Sequence, residues 1–134
     1  MLADPVKAAA KKNPKKNFVI IDSVVNGQKN VASATFESNQ ASYLGGLAAA
    51  YTTKTNKVGF IGGAKSQIID LFEAGFKQGV AAGAKALHKK ITVQTQYIGN
   101  FTSTDKAKSI AQSMYADKAD VIYQAAGNAG NGVF

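Results

Sequence analysis

Hydrophobic positions along the chain alternate between short continuous or every-second-residue runs and stretches with a helical period. Asn17–Asp22 (NFVIID) is apolar and ends in a carboxylate, which predicts a buried parallel strand. Val31–Phe36 (VASATF) predicts a second strand after a turn at Asn26-Gly27. Ahead of both, Asp4-Pro5 has the form of an N-cap and first helical position, for a helix through Val6, Ala9 and Ala10 that Asn13-Pro14 ends. Downstream, Ser38 is placed to cap a helix with Leu44, Leu47, Ala48 and Tyr51 on one apolar face. Lys57–Ile61 (KVGFI) is a strand. Ile69, Phe72, Phe76 and Val80 then stripe a helix that runs to about Gly83. Ile91–Tyr97 alternates as a strand, and Thr102 with Asp105 has capping-box spacing. The helix behind that box carries Ala107, Ile110, Ala111, Met114 and Tyr115 on one side. Asp120–Gln124 (DVIYQ) is the last strand, and Gly127–Gly132 (GNAGNG) reads as a loop.

Strands that alternate with helices imply βαβ units and right-handed crossovers. The expected fold class is therefore α/β, a largely parallel sheet with flanking helices. Ligands of such sheets bind outside the carboxyl ends of the strands. Four stretches meet that condition: the one after Asp22, Gly62–Ser66, Gly99–Thr104 and Ala125–Gly132. Three of them set glycine beside a polar or aromatic side chain, which suits a closely approaching ligand or simply the turn itself.

Composition narrows the chemistry. The 134 residues amount to one domain's worth, and a 46% hydrophobic, 18% charged chain is neither disordered nor collagen-like. No apolar run approaches the ~18 residues that a membrane-spanning helix needs. Without cysteine there is no disulfide, thiolate metal site or cysteine nucleophile, and His88 alone cannot build a multi-histidine metal site. The net charge of +8 comes from lysine with no arginine. Readers of nucleic-acid sequence rely on arginine forks, so no nucleic-acid partner is expected. Lys7, Lys11, Lys12, Lys15 and Lys16 crowd one segment and Lys85, Lys89 and Lys90 another. A solvated basic face and attraction to an anionic surface both fit these clusters.

Catalytic signatures are missing. Gly59-Phe60-Ile61-Gly62-Gly63 does not match the dinucleotide fingerprint, and the GNAGNG segment has the spacing G-x-x-G-x-G instead. There is no phosphate loop and no G-x-S-x-G elbow, and His88 falls at a predicted surface. The carboxylates fall at caps, turns and strand ends, so no acid/base pair stands out. Neither an enzymatic activity nor a cofactor is expected. Phe101 in Gly99-Asn100-Phe101-Thr102 is the aromatic that no helix or strand period demands. It is either a loop anchor or a platform for a flat ligand.

Several segments also occur together in order: VASATFESNQASYLGGLAA with its Tyr43-Leu44-Gly45-Gly46, KVGFIGG, FEAGFKQGV and ADVIYQAAGNAGNGVF. In this the chain resembles the basic membrane protein (PnrA-like) family of ABC-transporter substrate-binding lipoproteins, whose best-known members are purine nucleoside receptors. The resemblance implies a type I periplasmic-binding-protein fold, two α/β lobes that close on a nucleoside. It implies that residues 1–36 are the tail of lobe one and 37–134 most of lobe two. The signal sequence, lipid-bearing cysteine, first part of lobe one and end of lobe two would lie outside this chain. It implies that Phe101 is the lobe-two phenylalanine that stacks on the base, and that Gly127 lies close to the ligand. Asp4 falls where the family has a ligand-contacting aspartate, although Pro5 departs from the usual small residue there and a helix N-cap is the other reading. The implied partners are a purine nucleoside of the adenosine, guanosine or inosine type, an ABC permease and its ATPase. The implied location is extracytoplasmic, held to the membrane by an N-terminal lipid.

Two other classes share the fold pattern. One is a ligand-sensing regulatory domain, which a fused DNA-binding or kinase domain would mark. The other is a Rossmann-type enzyme, which the missing fingerprints disfavour.

Overall fold

The computed structural model describes residues 2–134, which divide into two compact units, 2–37 and 38–134. In the first unit, α1 (Ala3–Lys12) precedes two short strands, β1 (Phe18–Ile21) and β2 (Val31–Ala34). The strands pair in parallel, Phe18 opposite Val31 through Ile21 opposite Ala34. Asn30 organises this unit. Its amide donates to the carbonyls of Ala10, Asn13 and Lys16, tying the end of α1 to the start of β2. Asp4 is not the N-cap. Leu2 holds that place with no side-chain cap, and Asp4 is an exposed residue of the first turn, where its charge suits the helix dipole.

The second unit is a three-layer α/β/α arrangement. Its sheet has the order β4-β3-β5, with β3 (Lys57–Gly62) between β4 (Thr92–Tyr97) and β5 (Val121–Ala125), all parallel as expected. Helices α2 (Ser38–Thr52) and α3 (Gln67–Ala86) cover one face and α4 (Thr104–Ala116) the other. On the α2/α3 side Phe60, Phe76 and Tyr123 form an aromatic cluster, with ring centroids 5.1–6.1 Å apart. On the α4 side Ile61, Ile98, Ala107, Ala111 and Met114 are fully or almost fully buried.

The apolar face expected for α2 is not the one it buries. Leu44 and Tyr51 are exposed, while Ser42, Gly46, Ala49 and Ala50 are covered. The reason is close parallel packing against α3. A Cβ on Gly79 would overlap the Tyr43 carbonyl and stand 2.8 Å from the Leu47 nitrogen. A Cβ on Gly46 would overlap the Phe76 carbonyl in turn. Small residues let the two backbones approach, so the bulky positions are displaced outward. Tyr115 of α4 is likewise exposed. The loop expected at Gly127–Gly132 is wound into a 3-10 helix, Gly127–Val133, which packs Ala129 and Val133 onto the α4-side core.

Candidate functional site

The carboxyl ends of β3, β5 and β4 are laced together beyond the strands. Gly63 N–H donates to the Ala125 carbonyl at 3.0 Å, Ile98 N–H to Gly62 at 2.9 Å and Gly99 N–H to Gly63 at 2.8 Å. The ladder thus continues into the turns and holds three loops edge to edge, where parallel sheets place ligands.

Phe101 sits in this rim. Its half-buried ring lies over Gly63, where a Cβ would overlap Cδ1 and Cε1. A Cβ on Gly127 would stand 3.7 Å from Cδ1, so the same ring is flanked by the turn after β5. The Ala129 N–H donates to the Phe101 carbonyl at 2.9 Å and ties that turn to the phenylalanine loop. Gly127 itself is exposed and has φ +55°, a conformation that favours glycine. The structure therefore brings Phe101 and Gly127 together. Asp4 belongs to the other unit and is exposed on α1.

Sequence reasoning missed the residues that hold the ring in place. Asn100, not Thr102, organises the start of α4. Its Oδ1 accepts from Thr102 N at 2.9 Å and Ser103 N at 2.8 Å, while the N-cap Ser103 makes no side-chain cap. That is an Asx turn, for which Gly99-Asn100 was the available signal. Gln124 accepts from Ala126 N at 2.9 Å and lies against Gly130, bracing the 3-10 turn.

At the same edge, around the β3–α3 turn, lies a polar network. The Tyr97 hydroxyl donates to Glu73, and Lys65 reaches Asp70 at 2.9 Å and the Tyr97 oxygen at 3.3 Å. Lys77 pairs with Glu73 one helical turn away. Burial would raise the Glu73 carboxyl, but the hydrogen bonds from Lys77 and Tyr97 outweigh it and hold the group below its usual range. Burial, then the Glu73 carboxylate, pushes the Tyr97 phenol up to about 12. The bond to Asp70, then that to Tyr97, raises the Lys65 ammonium. Each shift moves its group away from neutrality, whereas an acid/base catalyst needs a pKa near its operating pH. The network is a brace for the turn that carries Gly63. His88 is exposed and terminates α3 with φ +52°, a structural role.

A shallow depression between α2 and α3, lined by Asn39, Gln40, Tyr43, Leu44 and Gln78, contains none of the strand-end residues. Among the described residues no group of three His, Cys, Asp or Glu side chains is placed to hold a metal ion, and no helix is long and apolar enough to cross a membrane.

Comparison with known proteins identifies the family and the fold. The family described as ABC transporter substrate-binding protein PnrA-like (Bmp) matches residues 1–134. The chain is 54% identical over 133 residues to the ABC transporter nucleoside-binding protein BmpA of Lactococcus lactis, covering 99% of this chain and 37% of that protein. It is 38% identical to Basic membrane protein A of Borreliella burgdorferi, over 97% of this chain and 38% of that one. A solved ABC-transporter solute-binding protein from Aeropyrum pernix superposes with a TM-score of 0.91 at 25% identity, over 99% of this chain and 38% of that structure. A transcriptional activator of the comK gene from Bacillus halodurans superposes with a TM-score of 0.78 at 29% identity, over 98% and 44%. The chain thus spans less than half the length of these relatives.

Proposed function

The chain belongs to the PnrA-like family of ABC-transporter substrate-binding proteins, and on that premise we propose that it is part of a receptor for purine nucleosides. The family binds solutes and is not an enzymatic class. The observation that carries the reading is the ring of Phe101, held by Gly63 and Gly127 at the strand ends, in a chain 54% identical to a nucleoside-binding protein. In this reading the base stacks on Phe101 and the backbone of the turn at Gly127 meets its polar edge. Residues 1–36 are the tail of lobe one, and Asp4 supplies a contact from it. Residues 37–134 are most of lobe two. The receptor works outside the cytoplasm, is anchored through an N-terminal lipid, and passes nucleoside to an ABC permease driven by its ATPase.

The test is calorimetry on a chimera in which this chain replaces the matching segment of the Lactococcus lactis relative. Guanosine, adenosine or inosine should bind with little salt dependence, because no phosphate is engaged. Asp4→Asn should weaken binding clearly while lowering the unfolding midpoint only slightly, by the small helix-dipole contribution of that charge. Tighter binding of a free sugar, an amino acid or a nucleoside monophosphate would overturn the assignment. The 134-residue chain alone should bind far more weakly, because a cleft receptor buries most of its ligand between two surfaces and the second unit carries one of them. The likeness to a transcriptional activator favours a ligand-sensing domain as the second reading. Failure of a purified permease to respond to the nucleoside-loaded chimera would turn preference to it.

A further inference from the structure

The amino edge of the second unit's sheet, opposite the strand-end site, gathers an excess of positive charge. The three turns that enter β3, β4 and β5 lie side by side there, because the strands are adjacent and parallel. Thr92 N–H donates to Asn56 at 2.9 Å and Asp120 N–H to Lys57 at 3.2 Å, linking the three turns directly. These turns, the first residue of β3 and the last turn of α3 carry Lys54, Lys57, Lys85, Lys89, Lys90 and Lys118. Two carboxylates face them. Asp117 pairs with Lys57 at 3.1 Å, and Asp120 is taken up by Thr53 Oγ1 and the backbone N–H groups of Lys54 and Thr55. The other five lysines are exposed, with no carboxylate partner among the described residues. Tyr51, 58% exposed in the last turn of α2, and Tyr115, 48% exposed in the last turn of α4, flank them. Complementing helix dipoles accounts for a lysine in a last turn. It does not account for Lys89 and Lys90 beyond α3, or for the tyrosines exposed in the last turns of α2 and α4.

We propose that this pole is a docking surface for an anionic phospholipid membrane. Lysines on flexible stems reach headgroup phosphates as point charges, and tyrosine rings favour the boundary between headgroup and acyl chain. RNA offers similar phosphates, but a patch without arginine lacks the planar forks that phosphate recognition there favours. A membrane held at this edge leaves the opposite, strand-end edge of the unit open.

The test is co-sedimentation of the 134-residue chain with vesicles of phosphatidylcholine alone, or containing about a third phosphatidylglycerol. Binding is expected only to the anionic vesicles and should vanish at high salt, where the screening length falls to about 3 Å. Lys85→Gln/Lys89→Gln/Lys90→Gln should lower it roughly tenfold or more, and Tyr51→Ser/Tyr115→Ser about threefold with the charge unchanged. Unfolding midpoints confirm that each variant is folded, and Lys54→Gln/Lys118→Gln serves if the triple variant is not. The proposal is overturned if the chain ignores anionic vesicles at low salt. It is equally overturned if Lys7→Gln/Lys11→Gln/Lys12→Gln abolishes binding while the pole variants retain it. Tighter binding to polyuridylate than to vesicles would assign the pole to RNA instead.

Discussion

A methyl group on Gly63 would collide with the edge of the Phe101 ring, whereas one on Gly127 would only touch it. Gly63 therefore sets how deeply the ring lies on the end of β3. In the chimera, Phe101→Leu is expected to weaken nucleoside binding at least about tenfold, since stacking of a base on an aromatic is worth ~1–3 kcal/mol. Gly63→Ala should also weaken it by lifting the ring. The double variant should bind no worse than Phe101→Leu, because Gly63 acts through that ring and the two effects cannot add. Fully additive losses in calorimetry would show separate roles. Phe76 is the contrast. It is completely buried against Phe60 and Tyr123, so Phe76→Ala should cost about 3–5 kcal/mol in denaturant unfolding. If Phe101→Leu destabilised as much, Phe101 would be an anchor only. Phe101 was legible in the sequence because no local period explains it. Gly63 was not, because its meaning comes from a ring on another loop, a contact that spacing along the chain does not encode.

Strand positions and parallel order were legible because short apolar runs such as Lys57–Ile61 alternate with helical periods, and that pattern has few topological solutions. The buried face of α2 was not, since hydrophobic size points to Leu44 and Tyr51 while backbone proximity selects Ser42, Gly46 and Ala49. Gly79→Ala separates the two effects. Helix propensity favours alanine by about 1 kcal/mol. Overpacking against the backbone of Tyr43 and Leu47, which cannot move aside like a flexible side chain, costs about 1–3 kcal/mol. Net destabilisation is expected by denaturant unfolding, with Leu44→Gln nearly neutral; a stabilised Gly79→Ala would mean that the helices separate easily. Asp120 gives a pH test on the turn between α2 and β3. Burial would raise its carboxyl, but hydrogen bonds from Thr53, Lys54 and Thr55 prevail and bring it down to about 2. A depressed folded-state pKa contributes stability that is complete above the unfolded-state value and is lost as pH falls through the folded one. The stability difference between wild type and Asp120→Asn should thus be constant near neutrality and shrink from about pH 4 towards pH 2. A difference that persists undiminished at pH 2 would assign it to packing rather than to the carboxylate.

At the scale of the whole chain, the face of the first unit's strand pair decides how the 134 residues behave in solution. β1 buries Ile20 but leaves Val19 70% and Ile21 63% exposed, and the register sets Ala32 and Ala34 beside them. Val24 and Phe36 add two more bare apolar side chains to this unit. Burying a side chain of this size is worth about 1.5–3 kcal/mol, so a few of them covered by a second copy offset a good part of the entropy lost on association. A two-stranded sheet also leaves unpaired backbone groups along its edges, which recruit further strands. Opposing this, Lys15, Lys16 and Lys29 bring positive charge close to both strands, and two copies would repel. Salt should therefore promote association by screening that repulsion, the reverse of its effect on binding to anionic vesicles. Light scattering on the isolated chain is expected to show mass growing from about 0.05 M to about 0.5 M salt, with Val19→Lys/Ile21→Lys remaining monomeric at both. A monodisperse wild-type monomer at the higher salt would mean that the strand face is stable in water, and that the second unit, not the first, sets the chain's solution behaviour.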